Sequence, residues 1–487
     1  MDADKLMQDA VAGKISADKL VELIVVLHKQ NQALQERVQE LEKELASRSP
    51  TARLDEPYSQ KAEEKRQATD KRRKRQKSPR RGRISTAEKI KLAERTEQVF
   101  PDGVPPEECT LSHTRVAWRL ENGRAVLVAY EIYRFRNHYG QPAGLWKRSE
   151  YGMEIVLAIA YQVYCVGLSL DKACAVLSFF QQLKLSKSQA DALLNQLARS
   201  WESEFNTLCT LLANAAVVYC DETSWSIKSV WAFLNDKLTV LFYGVHKDGA
   251  SLQQILNKEV FAGILVSDDA AVYQGFSQSQ KCWAHLLRKA IKLTLQAKEN
   301  STYRDFADRL LAIYRKAKRY AADGRLGDAG RAQRVEELDN NIIYLCTPRW
   351  YDTSTSGGKL ENDYRRLCCE LMALMFEDEL FVFVRSPEVD GTNNASERQL
   401  RPDATARATG RTSKTPWGAK RRSIISSVLQ SIGKHVTSFT LENVIQEVKR
   451  WMTRGRSCFT DRAKAAKLKV PESEPSILNR LILGAAT

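Results

Sequence analysis

A chain of 487 residues is long enough, at roughly 150 residues per domain, for about three structural units with a sizeable core. Its 43% hydrophobic and 28% charged composition excludes a disordered, collagen-like or disulfide-dense protein. The balance of 75 Lys plus Arg against 59 Asp plus Glu leaves +16, which points to a polyanionic partner such as nucleic acid.

The first residues lack a basic start followed by an apolar stretch, so a secretory signal is not expected and a cytoplasmic, nucleoid-associated location is. Leu20, Leu27, Leu34 and Leu41 recur every seven residues, with Ile24, Asn31, Val38 and Leu45 offset by four. This a/d seam predicts a coiled coil over residues 1–46 and a parallel homodimer through residues 20–45, its register fixed by the polar Asn31. Residues 47–88 lose that periodicity. Lys71, Arg72, Arg73, Lys74, Arg75, Lys77, Arg80, Arg81 and Arg83 follow one another there without an acid, as in a disordered basic linker that neutralises DNA phosphates. The plainer reading of the same charges is a solvated spacer.

Residues 89–150 offer Cys109, His113 and His138 as metal ligands, short of the two close pairs of a structural zinc site, so no structural zinc is expected. The ten cysteines likewise show no repeated C-x₂-C pair and no disulfide framework. Residues 151–213 read as helical. Their apolar run from Ile155 to Val166 contains Gln162 and is too short for the ~20 residues of a membrane span, so no membrane partner is expected. Two helices, the second N-capped by Ser186, match a helix-turn-helix that lays its second helix in the major groove, and equally match two core helices.

Over residues 214–285 the pattern changes to strands: Ala215–Cys220 ending at Asp221, Val230–Leu234, Leu238–Val245, then a helix over Leu252–Val260 and a buried strand Phe261–Val266 ending in Ser267-Asp268. A right-handed crossover makes the fourth strand parallel to the first and brings Asp221 and Asp268 side by side. Residues 286–388 are helical by period, as at Phe306, Leu310, Leu311 and Tyr314, and read as an inserted domain. Residues 389–453 hold a short helix through Arg401 and Pro402, a basic loop to Arg422 and two amphipathic helices; residues 454–487 read as a basic tail.

Ionised acids at the ends of buried strands are costly unless paired or bound to a cation. Two of them with a third, Glu397, can hold two Mg²⁺ ions ~3.5–4 Å apart for in-line phosphoryl chemistry. Taken singly, Asp221 and Asp268 are as well explained as caps or turn acids, and Asn394 and Glu397 have the spacing of a capping box. Beyond Glu397, Arg398, Arg401, Arg407, Arg411, Lys414, Lys420, Arg421 and Arg422 crowd around Trp417, a cationic apron suited to a phosphodiester backbone with a base-stacking platform.

The segments Tyr219-Cys220-Asp221-Glu222-Thr223-Ser224-Trp225, Val266-Ser267-Asp268-Asp269-Ala270-Ala271-Val272-Tyr273, Cys282-Trp283-Ala284-His285-Leu286-Leu287-Arg288 and Asn393-Asn394-Ala395-Ser396-Glu397-Arg398-Gln399-Leu400-Arg401-Pro402 closely resemble, in order, the motifs of insertion sequence 66 family transposases. The resemblance spans roughly Tyr151 to Trp451. It implies an α/β ribonuclease H-like catalytic core with a helical insertion, plus an N-terminal coiled coil and a helical DNA-binding region. It further implies Asp221, Asp268 and Glu397 as a catalytic and metal-binding triad for two Mg²⁺ ions, with Mn²⁺ as the alternative metal. Site support is then expected from Cys282, His285 and Asn394, and DNA contact from Arg72, Arg73, Lys74, Arg75, Arg398, Arg401, Arg411, Lys414, Arg421 and Arg422. Transposon ends, target DNA and accessory proteins of the element are the implied partners. Residues 89–150 stand where family members carry a cysteine-rich zinc-binding segment and form a degenerate version of it. The competing readings are a domesticated, non-catalytic DNA-binding protein and a host nuclease on the same fold.

Overall fold

The computed structural model describes residues 16–47, 84–146, 148–350, 358–470 and 476–483; the expected DNA contacts Arg72, Arg73, Lys74 and Arg75 lie outside these. Two units divide the chain, residues 1–84 and 85–487. The first contains one 31-residue helix, α1 (Ala17–Ser47), without an internal Gly or Pro to break it. Leu34, Val38 and Leu41, all members of the heptad seam, are exposed on it.

The second unit opens with a capped turn of helix, α2 (Thr86–Lys91), and a sheet of β1 (Arg95–Val99), β2 (Thr110–Glu121), β3 (Arg124–Phe135) and β4 (His138–Tyr139). β3 lies between β1, to which it is parallel, and β2, to which it is antiparallel. Residues 89–150 are thus a sheet built on a β2–β3 hairpin. Cys109 Sγ donates to the Pro105 carbonyl at 3.5 Å, and His113 Nδ1 lies 3.1 Å from Ser112 Oγ. A nearly buried ion pair, Arg119 Nε to Glu154 Oε1 at 2.5 Å, fastens this sheet to the next helix.

That helix, α3 (Met153–Tyr164), with α4 (Leu170–Phe180), α5 (Lys187–Ser200) and α6 (Glu202–Ala213), forms one layer of the main core. Ser186 caps α5 and forms a full capping box with Gln189. The apolar side of α5, Ala190, Leu193, Leu194, Leu197 and Ala198, is buried.

The second sheet contains β5 (Val217–Ser224), β6 (Ser229–Leu234), β7 (Thr239–Val245), β8 (Ile264–Ser267) and β9 (Ser279–Lys281), in the order β7-β6-β5-β8-β9, with a short helix α7 (Gly249–Ile255) leading into β8. The meander β5-β6-β7 is antiparallel, whereas β8 is parallel to β5 and β9 to β8. The structure is therefore mixed α/β with two mixed sheets. β6 and β7 are buried along their whole length, which explains their unbroken apolar runs.

Helices α8 (Trp283–Gln296), α9 (Ser301–Ala322), α10 (Asp328–Trp350), α11 (Lys359–Phe376) and α12 (Val382–Arg385) follow β9. They share a second core, which reaches Ile264 and Val266 of β8 and includes the buried Trp283, Leu310 and Phe383. The chain then returns to the first core as α13 (Asn394–Ala408), α14 (Pro416–Gly433), α15 (Leu441–Arg454) and α16 (Cys458–Ala465). α13 runs past Pro402, where sequence reading ended it: Asp403 in the next turn accepts from the buried Tyr243 hydroxyl at 3.0 Å, holding the helix against β7. The expected tail also differs. Phe459 and Leu478 are fully buried, and Ser457, the N-cap of α16, donates to Glu204. Too few apolar residues occur there to show a period.

α14 closes the β7 edge of the sheet by an unusual route. Ser423, Ser427 and Ser431 accept the N–H groups of Tyr243, Leu241 and Thr239 at 2.9, 2.9 and 3.0 Å. Four helical residues rise about 6 Å and two strand residues about 6.8 Å, so hydroxyls four apart keep pace with outward N–H groups two apart. Gly244 permits the close approach: its φ is +78°, and a Cβ there would lie 3.0 Å from Ala419 Cβ. Ser427→Ala is expected to cost about 1–3 kcal/mol by orphaning the Leu241 N–H. Ser426→Ala, whose buried hydroxyl lacks a partner, is expected to be neutral or slightly stabilising. Urea denaturation of the two variants provides the check.

Candidate active site

Residues of β5 alternate across the sheet. Val218, Cys220 and Glu222 are buried on one face, while Tyr219, Asp221 and Thr223 are part-buried on the other. Asp221 sits inside β5 rather than at its end, because antiparallel pairing with β6 continues to Ser224. Parallel pairing with β8 stops at Tyr219↔Val266; carried two residues further, that register sets Asp221 level with Asp268. Asp221 is thus placed where the two strands part.

Burial, then the nearby carboxylates Glu222, Asp268 and Glu397, pushes the Asp221 carboxyl up to about 7. Its Oδ1 accepts the Glu222 N–H at 2.9 Å. Asp268 Oδ1 accepts the Ala270 N–H at 3.1 Å, which folds the loop after β8 back beneath the acid. The next residue, Asp269, and Glu370 of α11 both bond to Lys289 of α8. Burial raises Glu370 to about 7; Asp269, against its own burial, is held down to about 2 by hydrogen bonds from Glu370 and Lys289. The helical insertion thereby grips the Asp268 loop.

Glu397 lies in the first turn of α13, where a carboxylate is favoured by the helix dipole. The expected capping box is absent. The N-cap is Asn393, not Asn394, and its side chain makes no cap bond. Asn393 Nδ2 donates instead to the Cys220 carbonyl at 2.7 Å, and its backbone N–H to Cys282 Sγ at 3.1 Å. Asn393 therefore performs the bracing expected of Asn394, which is exposed. Glu397, released from capping, accepts from Arg288 Nη2 at 2.8 Å and lies 3.7 Å from His285 Nε2. Among the described residues, the one group of three His, Cys, Asp or Glu donors within 4.8 Å of one another is Cys282, His285 and Glu397.

The chemistry of the acid set fits hard divalent cations. Asp221, Asp268 and Glu397 offer oxygen donors only, the type preferred by Mg²⁺ and Mn²⁺, and burial first, then the neighbouring acids, makes the Asp221 charge costly in a way that a cation would relieve.

Sequence reading missed several contributors. Glu222 is buried, accepts from the Tyr273 hydroxyl and pairs with Lys247 Nζ at 2.5 Å. Its parity with Val218 and Cys220 was the available signal. Arg288, Lys289 and Asn393 act through tertiary contacts that no local spacing reveals.

The cationic apron divides in two. Arg398, Arg401, Arg411 and Lys414 are exposed. Arg421 is taken by Asp191, 2.6 Å away, and Lys420 by Glu202 at 2.6 Å. Arg422 is buried, its guanidinium 5.0–5.6 Å from the ring centres of Tyr164, Trp225 and Tyr243 and 3.8 Å from Asp403. Arg421 and Arg422 are therefore already engaged within the fold, unlike the four exposed cations. Replacing Arg398 and Arg401 by Ala is expected to weaken DNA binding and flatten its salt dependence by about one unit per arginine without lowering stability. Arg422→Ala is expected to cost about 3 kcal/mol or more in stability; salt-dependent binding and thermal melts separate the two.

A family model described as "Transposase IS66 family" matches residues 148–421, more than half of the chain, and takes in all three acids. No curated protein matches the sequence. No described helix is long and apolar enough to cross a membrane.

Proposed function

The chain belongs to the IS66 transposase family, and we propose on that premise that it cuts DNA at the ends of its element and joins the freed 3′ ends to target DNA. What supports this reading is the register that sets Asp221 level with Asp268 on adjacent parallel strands, together with the influence of the Asp268 and Glu397 charges on the Asp221 carboxyl, Glu397 lying on a helix that Asn393 ties to β5. The order β7-β6-β5-β8-β9, antiparallel on one side and parallel on the other, supports a ribonuclease H-like core.

Two divalent cations held by Asp221, Asp268 and Glu397 would activate the attacking water or 3′-hydroxyl and stabilise the leaving oxygen. Arg288 holds the Glu397 carboxylate in an ion pair at 2.8 Å. Lys289 fixes the loop that presents Asp268. Arg398, Arg401, Arg411 and Lys414 would hold the phosphodiester backbone, and Trp417, 68% exposed, offers a face for an unpaired base. The polar side of α5, with Lys187, Gln189 and Arg199 exposed, would read the ends, and α1 would pair two copies through its heptad seam.

The test is incubation with DNA bearing the element's own ends, a supercoiled target and Mg²⁺. End-specific nicking followed by a covalently joined product is expected. Specific binding without cleavage would instead identify a non-catalytic DNA-binding protein, and cleavage without joining a nuclease.

A further inference from the structure

Cys282 follows β9 at the N-cap position of α8; His285, three residues on, returns to the same side of the helix one turn later. Cys282 Sγ is buried and accepts the Asn393 N–H at 3.1 Å; burial outweighs that bond and pushes its thiol up, so a cation binding there displaces the proton. The His285 ring has a buried Nδ1 with no partner, and its Nε2 faces Glu397 Oε1 at 3.7 Å. A thiol, an imidazole and a carboxylate thus present donor atoms within 4.8 Å of one another, with Nε2 as the ring nitrogen that faces Glu397.

We propose that Cys282, His285 and Glu397 form a site for one thiophilic divalent cation of the Zn²⁺ class, and that filling it draws Glu397 away from Asp221 and Asp268. Zinc bonds of about 2.0–2.3 Å in a tetrahedron separate the donor atoms by roughly 3.3–3.8 Å. The histidine–glutamate separation already meets this, and the rest of the trio lies within 4.8 Å, so side-chain rotation completes it. Arg288, more than half exposed, swings into solvent as the cation takes its place beside Glu397. The fourth position is open, as in exchangeable rather than structural zinc sites. Donor softness separates the two destinations of Glu397: thiolate with imidazole selects zinc, and the all-oxygen aspartates select Mg²⁺. Zinc-class ions are therefore inhibitors of Mg²⁺-dependent cleavage through one shared ligand. This second half rests on the proposed role of Glu397 in catalysis; the binding site itself does not.

The experiment uses the full-length protein, stripped with a chelator and titrated with Co²⁺ as a coloured substitute for zinc. One equivalent should produce thiolate-to-cobalt absorption that Zn²⁺ erases. Cys282→Ser should lose that absorption and His285→Gln should bind at least about tenfold more weakly, with circular dichroism confirming that both fold. In a second arm, Zn²⁺ is added to cleavage reactions in saturating Mg²⁺, each variant being normalised to its own rate in Mg²⁺ alone; inhibition is expected in wild type and relief in Cys282→Ser. No cobalt absorption, or absorption unchanged in Cys282→Ser, overturns the site. Absorption without zinc inhibition overturns the sharing of Glu397. If Mg²⁺ alone gives no cleavage, the catalytic reading fails and the cobalt arm still decides the site.

Discussion

Glu397→Gln is expected to lower cleavage and strand transfer on the order of 10³-fold while leaving binding to the element's ends unchanged. Glutamine keeps the length and polarity of the side chain and removes only its charge, so a merely structural role would be largely retained. The structure sets aside one structural role, capping: Asn393, not Asn394, is the N-cap of α13, and the Glu397 carboxylate turns to Arg288 and His285 instead of backbone donors. Glu397→Asp is expected to fail similarly, since it keeps the charge but shortens the reach toward Asp221 and Asp268. Gel-shift binding beside a labelled-end cleavage assay measures both quantities. Activity of either variant near wild type would remove Glu397 from the chemistry.

Asp221→Asn is expected to stabilise the metal-free protein at pH 8 by roughly 2–4 kcal/mol. Burial and three neighbouring acids raise the folded-state pKa of Asp221 to about 7, from 3.8 in the unfolded chain. For a raised acid, the stabilising contribution is complete below the unfolded value and is lost as pH climbs through the folded one. The advantage of the variant should therefore grow from about pH 4 to pH 7 and then level off. Urea denaturation in chelator at pH 5 and pH 8 gives the two points, and titration of Glu370 and Asp403 cancels because both proteins contain them. Mg²⁺ should then stabilise wild type and not the variant, since a ligand stabilises only a fold that binds it. A pH-independent difference would mean that Asp221 is solvated.

Much of the main sheet was legible in the sequence because its signals are local. The apolar runs that became β5, β6, β7 and β8 were visible, as was the parallel return that sets Asp221 beside Asp268. Ser186 was legible as a cap for the same reason. The first sheet was not. In β2, Arg119 occupies a position where alternation calls for an apolar residue, and only the ion pair with Glu154 of α3 explains how it is buried. Arg422 deceived in the opposite way: amid basic neighbours it looked like a phosphate contact, whereas three aromatic rings from distant segments enclose it. The serine ladder of α14 left a trace, polar residues every four positions on a buried face, but its meaning depends on β7 being adjacent. Asn393 differs from the expected Asn394 by one residue because helix boundaries are set by tertiary anchoring as much as by capping chemistry.

The most direct measurement counts Mn²⁺ bound per active site, by paramagnetic titration of the full-length protein on DNA carrying the element's end. Wild type should bind two ions, and a triple variant with Asp221→Asn, Asp268→Asn and Glu397→Gln should bind neither at comparable affinity. Equal Mn²⁺ binding by both proteins would contradict the assignment of these three carboxylates as the metal-holding centre.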